Sequence, residues 1–479
     1  MMNVIARIGG LSLAAMLISP AAPAQLLEVN TQPLRALDAT LFDATSGFIR
    51  VPEMREPVAG EQGRIDLAFV RVRRVGATAG ASAHMVLAGG PGDSGVNLVT
   101  NLAKQGGAVL AEMFDGDIIG VDQRGTGRSR PNLDVPVLYD LPLDVAGSPE
   151  VWLPRIERVC REAAAALRNK GIRLEAYNTR ESADDIEAVR KALGYDQLTL
   201  WGRSYGSHLA LATVARYRAL ANRLILISPE GPDHTWKLPS QVDDVIRRLA
   251  DRGAPDLETQ LRRVRSDLAQ RPVSISVKNP MNGTLSTVVL GPFDLEWMVA
   301  DALGDPRLLA TLPAAVRDMS EGRFERLAQI AMLRRMRAGV QSAMKHMMDL
   351  SSGASEERRR QIDRETPLAL VGHAINFPGM FLKNAWSPVI DLGKQFRQPV
   401  HSGVPTLILV GDLDPRTPVI NARDIAATLP AAKVLVLTNA THQFDVFGSA
   451  VVRSAIMRFV RGEKIAEETL TLPAVQFQR

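Results

Sequence analysis

Cysteine is nearly absent from this sequence, which has a single thiol, Cys160, among 479 residues. One cysteine cannot form an internal disulfide, so a folded chain has to be stabilised by its buried core alone. Cys160 lies in a stretch with a helical pattern and without a turn that would expose it. This context favours a buried structural thiol over a catalytic nucleophile.

Signals for metals, nucleic acids and membrane spans are also missing. The seven histidines are dispersed and none forms a His-x-x-x-His pair, so no metal site is predicted. The formal net charge is +5, but the basic residues are scattered, which argues against a nucleic-acid partner. The densest basic clusters, residues 334–337 and 358–360, are typical of solvated helix faces. Beyond the first residues, no run of about 18 apolar residues could span a membrane.

Residues 1–24 are typical of a secretory signal peptide. Arg7 gives a positive start, residues 8–18 are mainly apolar, and residues 22–24 form an Ala-x-Ala cleavage pattern before Gln25. We therefore predict cleavage after Ala24 and export to the periplasm or the medium, with no stable membrane anchor afterwards. The alternative is an uncleaved anchor or a buried N-terminal helix.

Short apolar runs alternate with helical patterns through much of the chain, which is typical of a parallel sheet flanked by helices. An earlier run, residues 65–72, suits an antiparallel strand. The sequence therefore predicts an α/β fold with a mostly parallel central sheet. Buried strands are predicted at residues 84–88, 117–121, 197–201, 224–227, 406–410 and 434–437.

The gap between residues 227 and 406 is far longer than an ordinary connection between neighbouring strands. Its pattern is mostly helical, and Asn282-Gly283 is a strong hairpin signal. We therefore predict a core made of residues 25–232 and 400–479, and a largely helical cap over residues 233–399.

A nucleophile is predicted at Ser204, because residues 202–206 form a Gly-x-Ser-x-Gly turn between a predicted strand and a predicted helix. The two glycines leave room for a sharp turn, which pushes the serine hydroxyl outward. The turn also directs a helix N-terminus towards a developing oxyanion.

A serine nucleophile needs a histidine base oriented by an acid, and in this kind of fold the chain order is serine, acid, histidine. His442 is the one histidine that follows the last predicted strand. His208 lies four residues after Ser204 in the same predicted helix and would point away from the turn, while His84 lies within a strand and suits packing.

The acid is predicted to be Asp414, which follows the strand at residues 406–410. Asp412 is the rival in the same loop, although its position also suits an aspartate that bonds to the backbone of a turn. Glu230 and Asp233, after the preceding strand, are a second rival location.

Donors to the oxyanion are predicted in the glycine-rich turn at residues 89–92, which follows the strand at residues 84–88. Glycines let backbone amides approach a substrate carbonyl closely. The Gly90 and Tyr205 amides are the preferred pair.

Four motifs in order make the chain resemble the prolyl iminopeptidase and tripeptidyl aminopeptidase family of serine peptidases. They are residues 89–92 (Gly-Gly-Pro-Gly), 122–129 (Asp-Gln-Arg-Gly-Thr-Gly-Arg-Ser), 202–206 and 411–418. The resemblance implies an α/β-hydrolase core, a helical cap, no cofactor and cleavage of N-terminal residues from peptides. It also implies that Ser204, Asp414 and His442 are the catalytic residues. One departure is Ala88, which stands where the family usually has histidine.

An aminopeptidase needs a carboxylate to bind the α-ammonium group of its substrate, since a buried unpaired charge is costly. Glu230 is the first choice for this role and Asp233 the second, and a solvated or supporting role is the alternative for both. The expected function is therefore a serine hydrolase that cleaves peptide bonds near the N-terminus of short peptides through an acyl-enzyme. The alternatives are an esterase that uses the same residues on small esters, and a non-catalytic binding protein.

Overall fold

The computed structural model describes residues 24–55, 63–77 and 82–478. Apart from Ala24, the predicted signal peptide lies outside the described residues. No helix within these ranges is long and apolar enough to cross a membrane.

The described strands are β1 (Gln25–Arg35), β2 (Leu41–Pro52), β3 (Arg64–Arg74), β4 (Ala83–Leu87), β5 (Asp117–Val121), β6 (Asp134–Leu138), β7 (Leu198–Arg203), β8 (Ala221–Ile227), β9 (Val273–Lys278), β10 (Leu285–Leu290), β11 (Gly339–Ser342), β12 (Thr406–Gly411), β13 (Ala432–Thr438) and β14 (Thr469–Thr471). The described helices are α1 (Gly95–Gln105), α2 (Gly107–Met113), α3 (Pro149–Asn169), α4 (Thr179–Ala192), α5 (Tyr205–Arg216), α6 (Pro239–Ala250), α7 (Leu257–Gln270), α8 (Pro292–Ala302), α9 (Pro306–Leu309), α10 (Leu312–Ser320), α11 (Glu325–Arg337), α12 (Ala343–Ser352), α13 (Glu356–Glu365), α14 (Gly393–Phe396), α15 (Val419–Ala426) and α16 (Ala450–Val460).

Ten of the strands form one sheet in the order β1-β2-β3-β5-β4-β7-β8-β12-β13-β14. Neighbours from β1 to β5 pair antiparallel, and neighbours from β5 to β14 pair parallel. The predicted α/β fold with a mostly parallel sheet, and the early antiparallel strand, are confirmed.

The central strands are buried on both faces of the sheet, which explains why they are largely apolar. In β8, Leu224 and Leu226 pack into one hydrophobic cluster, while Ile225 and Ile227 pack into a second cluster on the opposite face. Because β7, β8 and β12 run parallel, their carboxyl ends meet at one edge, where the loops with the predicted site residues begin.

Residues 228–405, between β8 and β12, contain α6 to α14, β9, β10 and β11. The hairpin predicted at Asn282-Gly283 is present as the antiparallel pair of β9 and β10. Strand β11 pairs with β6, outside the main sheet, with Val340 opposite Val137. A strand at residues 134–138 was not predicted, because its short run is largely exposed and has little apolar periodicity.

The solvated face predicted for residues 334–337 is wrong for Arg335, which is fully buried. Its guanidinium donates to both carboxylate oxygens of Asp294, with distances of 2.7 Å from Nη2. The carbonyls of Pro142, Val145 and Val289 accept from the same group. A cation with this many acceptors is stable inside the protein, which charge counting along a helix could not reveal.

The thiol of Cys160 is buried within α3, as predicted. Burial raises the pKa of Cys160 to about 12, so the thiol stays protonated near neutral pH and is a poor nucleophile.

Candidate active site

Ser204 lies at a sharp turn between β7 and α5. Its backbone has φ 53° and ψ −123°, a conformation that side-chain-bearing residues rarely adopt. A Cβ atom on Gly202 would come within 2.6 Å of the carbonyl oxygen of Gly206, and one on Gly206 would overlap the carbonyl of Leu87 in β4. Both glycines are therefore required by close backbone contact, and the serine is the residue left to carry a side chain outward.

The hydroxyl of Ser204, the ring of His442 and the carboxylate of Asp414 lie in one hydrogen-bonded line. Nε2 of His442 is 3.1 Å from Oγ of Ser204, and Nδ1 of His442 is 2.9 Å from Oδ2 of Asp414. An ionised carboxylate can only accept, so Nδ1 donates to Asp414 and Nε2 is left to accept from the serine. The sequence prediction named these three residues, and the structure brings them together.

Asp414 is fully buried and accepts several hydrogen bonds from its own loop. The amides of Arg416 and Thr417 donate to Oδ1 at 2.8 and 2.9 Å, and the Thr417 hydroxyl donates to Oδ2 at 2.8 Å. Burial alone raises the pKa of Asp414, but the His442 ring and the Thr417 donors outweigh it and hold that pKa well below its usual value. The carboxylate therefore stays ionised under neutral conditions.

Thr417 is a site residue that the sequence analysis missed. Besides its bonds to Asp414, its hydroxyl lies 3.3 Å from Nδ1 of His442. The available signal was its position three residues after an aspartate, a spacing at which hydroxyls and amides commonly bond a carboxylate.

The rival acid and the rival bases bind elsewhere. Asp412 accepts from the Asn439 amide and pairs with Arg252, which fits the predicted turn-forming role. His208 lies with Nδ1 3.0 Å from the carbonyl of Gly231. His84 is buried within β4, where Trp201 donates to its Nδ1 at 3.1 Å.

The predicted oxyanion donors border the same serine. The Tyr205 amide opens α5, so it has no partner within the helix. The Gly90 amide follows Gly89 in the glycine-rich turn. A Cβ atom on Gly89 would lie 3.5 Å from Cβ of Ser204, so this turn borders the serine. Among the described residues, neither the Gly90 nor the Tyr205 amide donates to a backbone carbonyl.

The two carboxylates predicted to bind an α-ammonium group already have partners in the chain. Oε2 of Glu230 accepts from Nζ of Lys237 at 2.5 Å. Burial raises the pKa of Glu230, but the Lys237 ammonium and the His208 ring outweigh it, and the net shift is downward. Both oxygens of Asp233 accept from Ser355, at 2.6 Å from its amide and 2.6 Å from its hydroxyl.

Arg203 is a second residue that the sequence analysis passed over, because it is a variable position of the Gly-x-Ser-x-Gly pattern. Its Nη2 donates to the carbonyl of His442 at 3.2 Å, and its guanidinium lies 6.0 Å from the ring of Phe444. Burial lowers the pKa of Arg203, while the carboxylates of Asp414, Asp445 and Asp93 oppose that shift. This side chain joins the serine turn to the histidine loop.

Metal chemistry has no visible support at this site. Within the part of the chain that the structure describes, no group of three or more His, Cys, Asp or Glu side chains could hold a metal ion.

Comparison with known proteins places the chain in a family. The family model described as alpha/beta hydrolase fold matches residues 85–444. A tripeptidyl aminopeptidase of Streptomyces lividans is 26% identical over 206 residues, covering 42% of this chain and 38% of that protein. Serine protease Hip1 of Mycobacterium tuberculosis is 28% identical over 185 residues, covering 37% and 35%. A putative hydrolase, YuaR, of Escherichia coli is 28% identical over 167 residues, covering 32% and 30%.

These matches confirm the resemblance to tripeptidyl aminopeptidases that the motifs predicted. The chain spans about a third of the length of the curated relatives it matches. The family model, in contrast, extends from β4 to the loop that carries His442. The chain therefore belongs to the α/β hydrolase fold family.

Proposed function

We propose that the chain is a serine hydrolase that cleaves peptide bonds near the N-terminus of short peptides. The observation that carries this proposal is the hydrogen-bonded line of Ser204, His442 and Asp414, at 3.1 and 2.9 Å. Similarity to a tripeptidyl aminopeptidase and a serine protease supports a peptide substrate.

In the first half-reaction, Oγ of Ser204 attacks the carbonyl carbon of the scissile bond, and its proton passes to Nε2 of His442. The carbonyl oxygen becomes an oxyanion, for which the Gly90 and Tyr205 amides are the proposed donors. His442 then gives the proton to the leaving amine as the carbon–nitrogen bond breaks, and an acyl-enzyme remains.

In the second half-reaction, water attacks the acyl carbon and gives a proton to His442, which returns it to Ser204 as the ester bond breaks. Asp414 remains ionised throughout and stabilises the imidazolium that forms twice in each cycle. Its low pKa, which Thr417 helps to maintain, suits this role.

An esterase is the second candidate, and a specific observation favours it. Glu230 is paired with Lys237 and Asp233 with Ser355, so neither predicted carboxylate is free to bind an α-ammonium group as the structure stands. An enzyme without ammonium recognition would hydrolyse small esters and blocked peptides as readily as free peptides.

We also propose that residues 233–399 act as a cap over the site and that the mature chain, residues 25–479, is exported. The cap proposal is supported by its place in the chain, since it joins β8 to β12, and the loops after both strands carry predicted site residues. The export proposal rests on the pattern of residues 1–24 alone.

The test is a substrate panel for the purified mature chain. It contains an aminoacyl amide with a free amine, the same amide N-acetylated, and a short-chain ester. Wild type should hydrolyse the free-amine amide, and Ser204→Ala should lose at least about 10⁴-fold in kcat. Ser449→Ala is the matched control, because that hydroxyl makes no side-chain capping bond and lies outside the site.

Retained activity in the Ser204→Ala variant would contradict the mechanism. Equal turnover of free-amine and N-acetyl amides, together with faster ester hydrolysis, would favour the esterase. No turnover of any panel member by correctly folded wild type would support a binding protein.

A further inference from the structure

The oxyanion turn ends in an exposed carboxylate, that of Asp93. Asp93 directly follows the glycine-rich residues 89–92 and is exposed. Its amide donates to the carbonyl of Gly89 at 3.4 Å, which folds the turn back on itself. In the described ranges, the Asp93 carboxylate forms no salt bridge, although it acts electrostatically on the Arg203 guanidinium.

The Asp93 carboxylate lies close to the proposed nucleophile. The position that a Cβ atom would take on Gly89 is 3.5 Å from Cβ of Ser204 and 3.9 Å from Oδ2 of Asp93. The equivalent position on Gly90, the proposed oxyanion donor, is 3.5 Å from Cγ of Asp93. The Asp93 carboxylate therefore lies against the turn that would stabilise an oxyanion, and Gly89 of that turn borders both this carboxylate and Ser204.

The other acidic side chains of this region differ from Asp93 in having partners within the chain. Asp414 is bonded to His442, Glu230 to Lys237 and Asp233 to Ser355. Each of these three carboxylates already has an ionic or hydrogen-bonding partner within the chain. Asp93 differs from these three, because in the described ranges its carboxylate forms no salt bridge and accepts no hydrogen bond.

A carboxylate against the oxyanion turn has a chemical consequence for the reaction. When the tetrahedral intermediate forms, its oxyanion and the Asp93 carboxylate repel each other, which raises the barrier for a neutral substrate. Arg203 compensates in part, since Asp93 is one of the carboxylates that oppose the lowering of its pKa. A substrate that carries its own ammonium group next to the scissile carbonyl would remove the remaining repulsion.

We propose that Asp93 binds the α-ammonium group of the substrate and that the enzyme consequently releases a single N-terminal residue. This inference rests on the proposed serine peptidase function and specifies its substrate. In an aminoacyl group the ammonium nitrogen is only two bonds, about 2.5 Å, from the acyl carbon. In a tripeptidyl group the ammonium nitrogen lies about 7 Å further from the acyl carbon, too far to reach a carboxylate that lies against the oxyanion turn.

The experiment compares Asp93→Asn with wild type on an aminoacyl amide and on its N-acetyl derivative. Wild type should prefer the free amine, and Asp93→Asn should lower kcat/KM for the free amine by about 10- to 100-fold. Its kcat/KM for the N-acetyl amide should be unchanged or higher, because the repulsion is gone. Asp93→Glu should retain part of the free-amine preference.

Two further variants serve as comparisons. Asp445→Asn removes another exposed carboxylate near Arg203, one that accepts from the Gly448 amide, and should leave the ratio of free-amine to N-acetyl hydrolysis unchanged. Glu230→Gln removes the first choice of the sequence analysis. A loss of free-amine preference in Glu230→Gln but not in Asp93→Asn would overturn the role of Asp93 and leave the peptidase function standing.

The length of the product is tested with a free-amine pentapeptide and mass spectrometry. Release of the first residue alone supports the proposal, and release of an intact tripeptide overturns it without affecting the peptidase function. If wild type hydrolyses esters but shows no preference for a free amine on any amide, both the role of Asp93 and the proposed function fail.

Discussion

Two buried charges, Asp414 in the core and Arg335 in the insertion, are alike in burial and differ in where their hydrogen bonds lead. Asp414 bonds to His442, whose other ring nitrogen faces the half-buried hydroxyl of Ser204. Arg335 donates to Asp294 and to backbone carbonyls, all within the protein. Burial and charge therefore do not distinguish the candidate active site from a structural ion pair, whereas a line of bonds that ends at an accessible reactive atom does.

The largest effect that would sharpen this comparison is expected from Asp414→Asn. An asparagine would favour the wrong tautomer of His442 and would not stabilise its imidazolium, so kcat should fall by about 10⁴-fold. The melting temperature should stay close to that of wild type, because the side-chain volume is conserved. Steady-state kinetics measures kcat, and a thermal melt of the same preparation measures the melting temperature. An Asp414→Asn variant with near-normal kcat would remove Asp414 from the proposed mechanism.

The opposite outcome is expected for Arg335→Met. Removing the guanidinium leaves the Asp294 carboxylate buried without its cation, which should lower the free energy of unfolding by about 3–5 kcal/mol. The kcat per folded molecule should be unchanged. Urea denaturation and active-site titration measure the two quantities.

A double variant, Arg335→Met with Asp294→Leu, is the matched control. Removing both charges should recover much of the lost stability, since no buried charge is then unpaired. Equal stabilities for the single and double variants would mean that packing, rather than the ion pair, explains the loss.

The core and the insertion also differ in how far the sequence predicts them. The runs of β5, β8 and β12 could be recognised because a strand buried on both faces is apolar along most of its length. The site residues could be recognised because a strained serine turn requires glycines at 202 and 206, and because the order serine, acid, histidine narrows the search.

The contacts that could not be predicted are those between segments distant in the chain. Pairing of Asp233 with Ser355 joins residues more than a hundred positions apart, and burial of Arg335 depends on carbonyls near residues 142–145. Neither has a periodic signal in the sequence. Asp93 was overlooked for a related reason, since only the three-dimensional turn shows that its carboxylate lies near Ser204.

A smaller effect within the core is expected from Thr417→Val. The substitution keeps the side-chain shape and the backbone amide but removes the hydroxyl that donates to Asp414. One hydrogen bond to a charged group is worth about 1.5–3 kcal/mol, part of which His442 retains through its own bond, so kcat should fall by about 10-fold. Thr417→Ser keeps the hydroxyl and should stay near wild type. Equal losses in both variants would assign the effect to packing.

The smallest effect at neutral pH is expected in the insertion, from His346→Phe. The His346 ring stacks on Trp386 at 5.1 Å, and burial lowers its pKa to about 3, with Lys345 adding to the shift. Between pH 6.5, the ordinary value, and about pH 3, the unfolded chain binds a proton that the folded chain does not, so stability falls as pH falls through this range. Phenylalanine keeps the stacking without binding a proton, so the free energy of unfolding should decline less steeply between pH 6 and pH 4, by at most about 1.4 kcal/mol per pH unit. Urea denaturation at several pH values measures the slope. An unchanged slope would mean that His346 is protonated in the folded chain, whereas a change in kcat at pH 7 would link this part of the insertion to catalysis and weaken the contrast with Asp414.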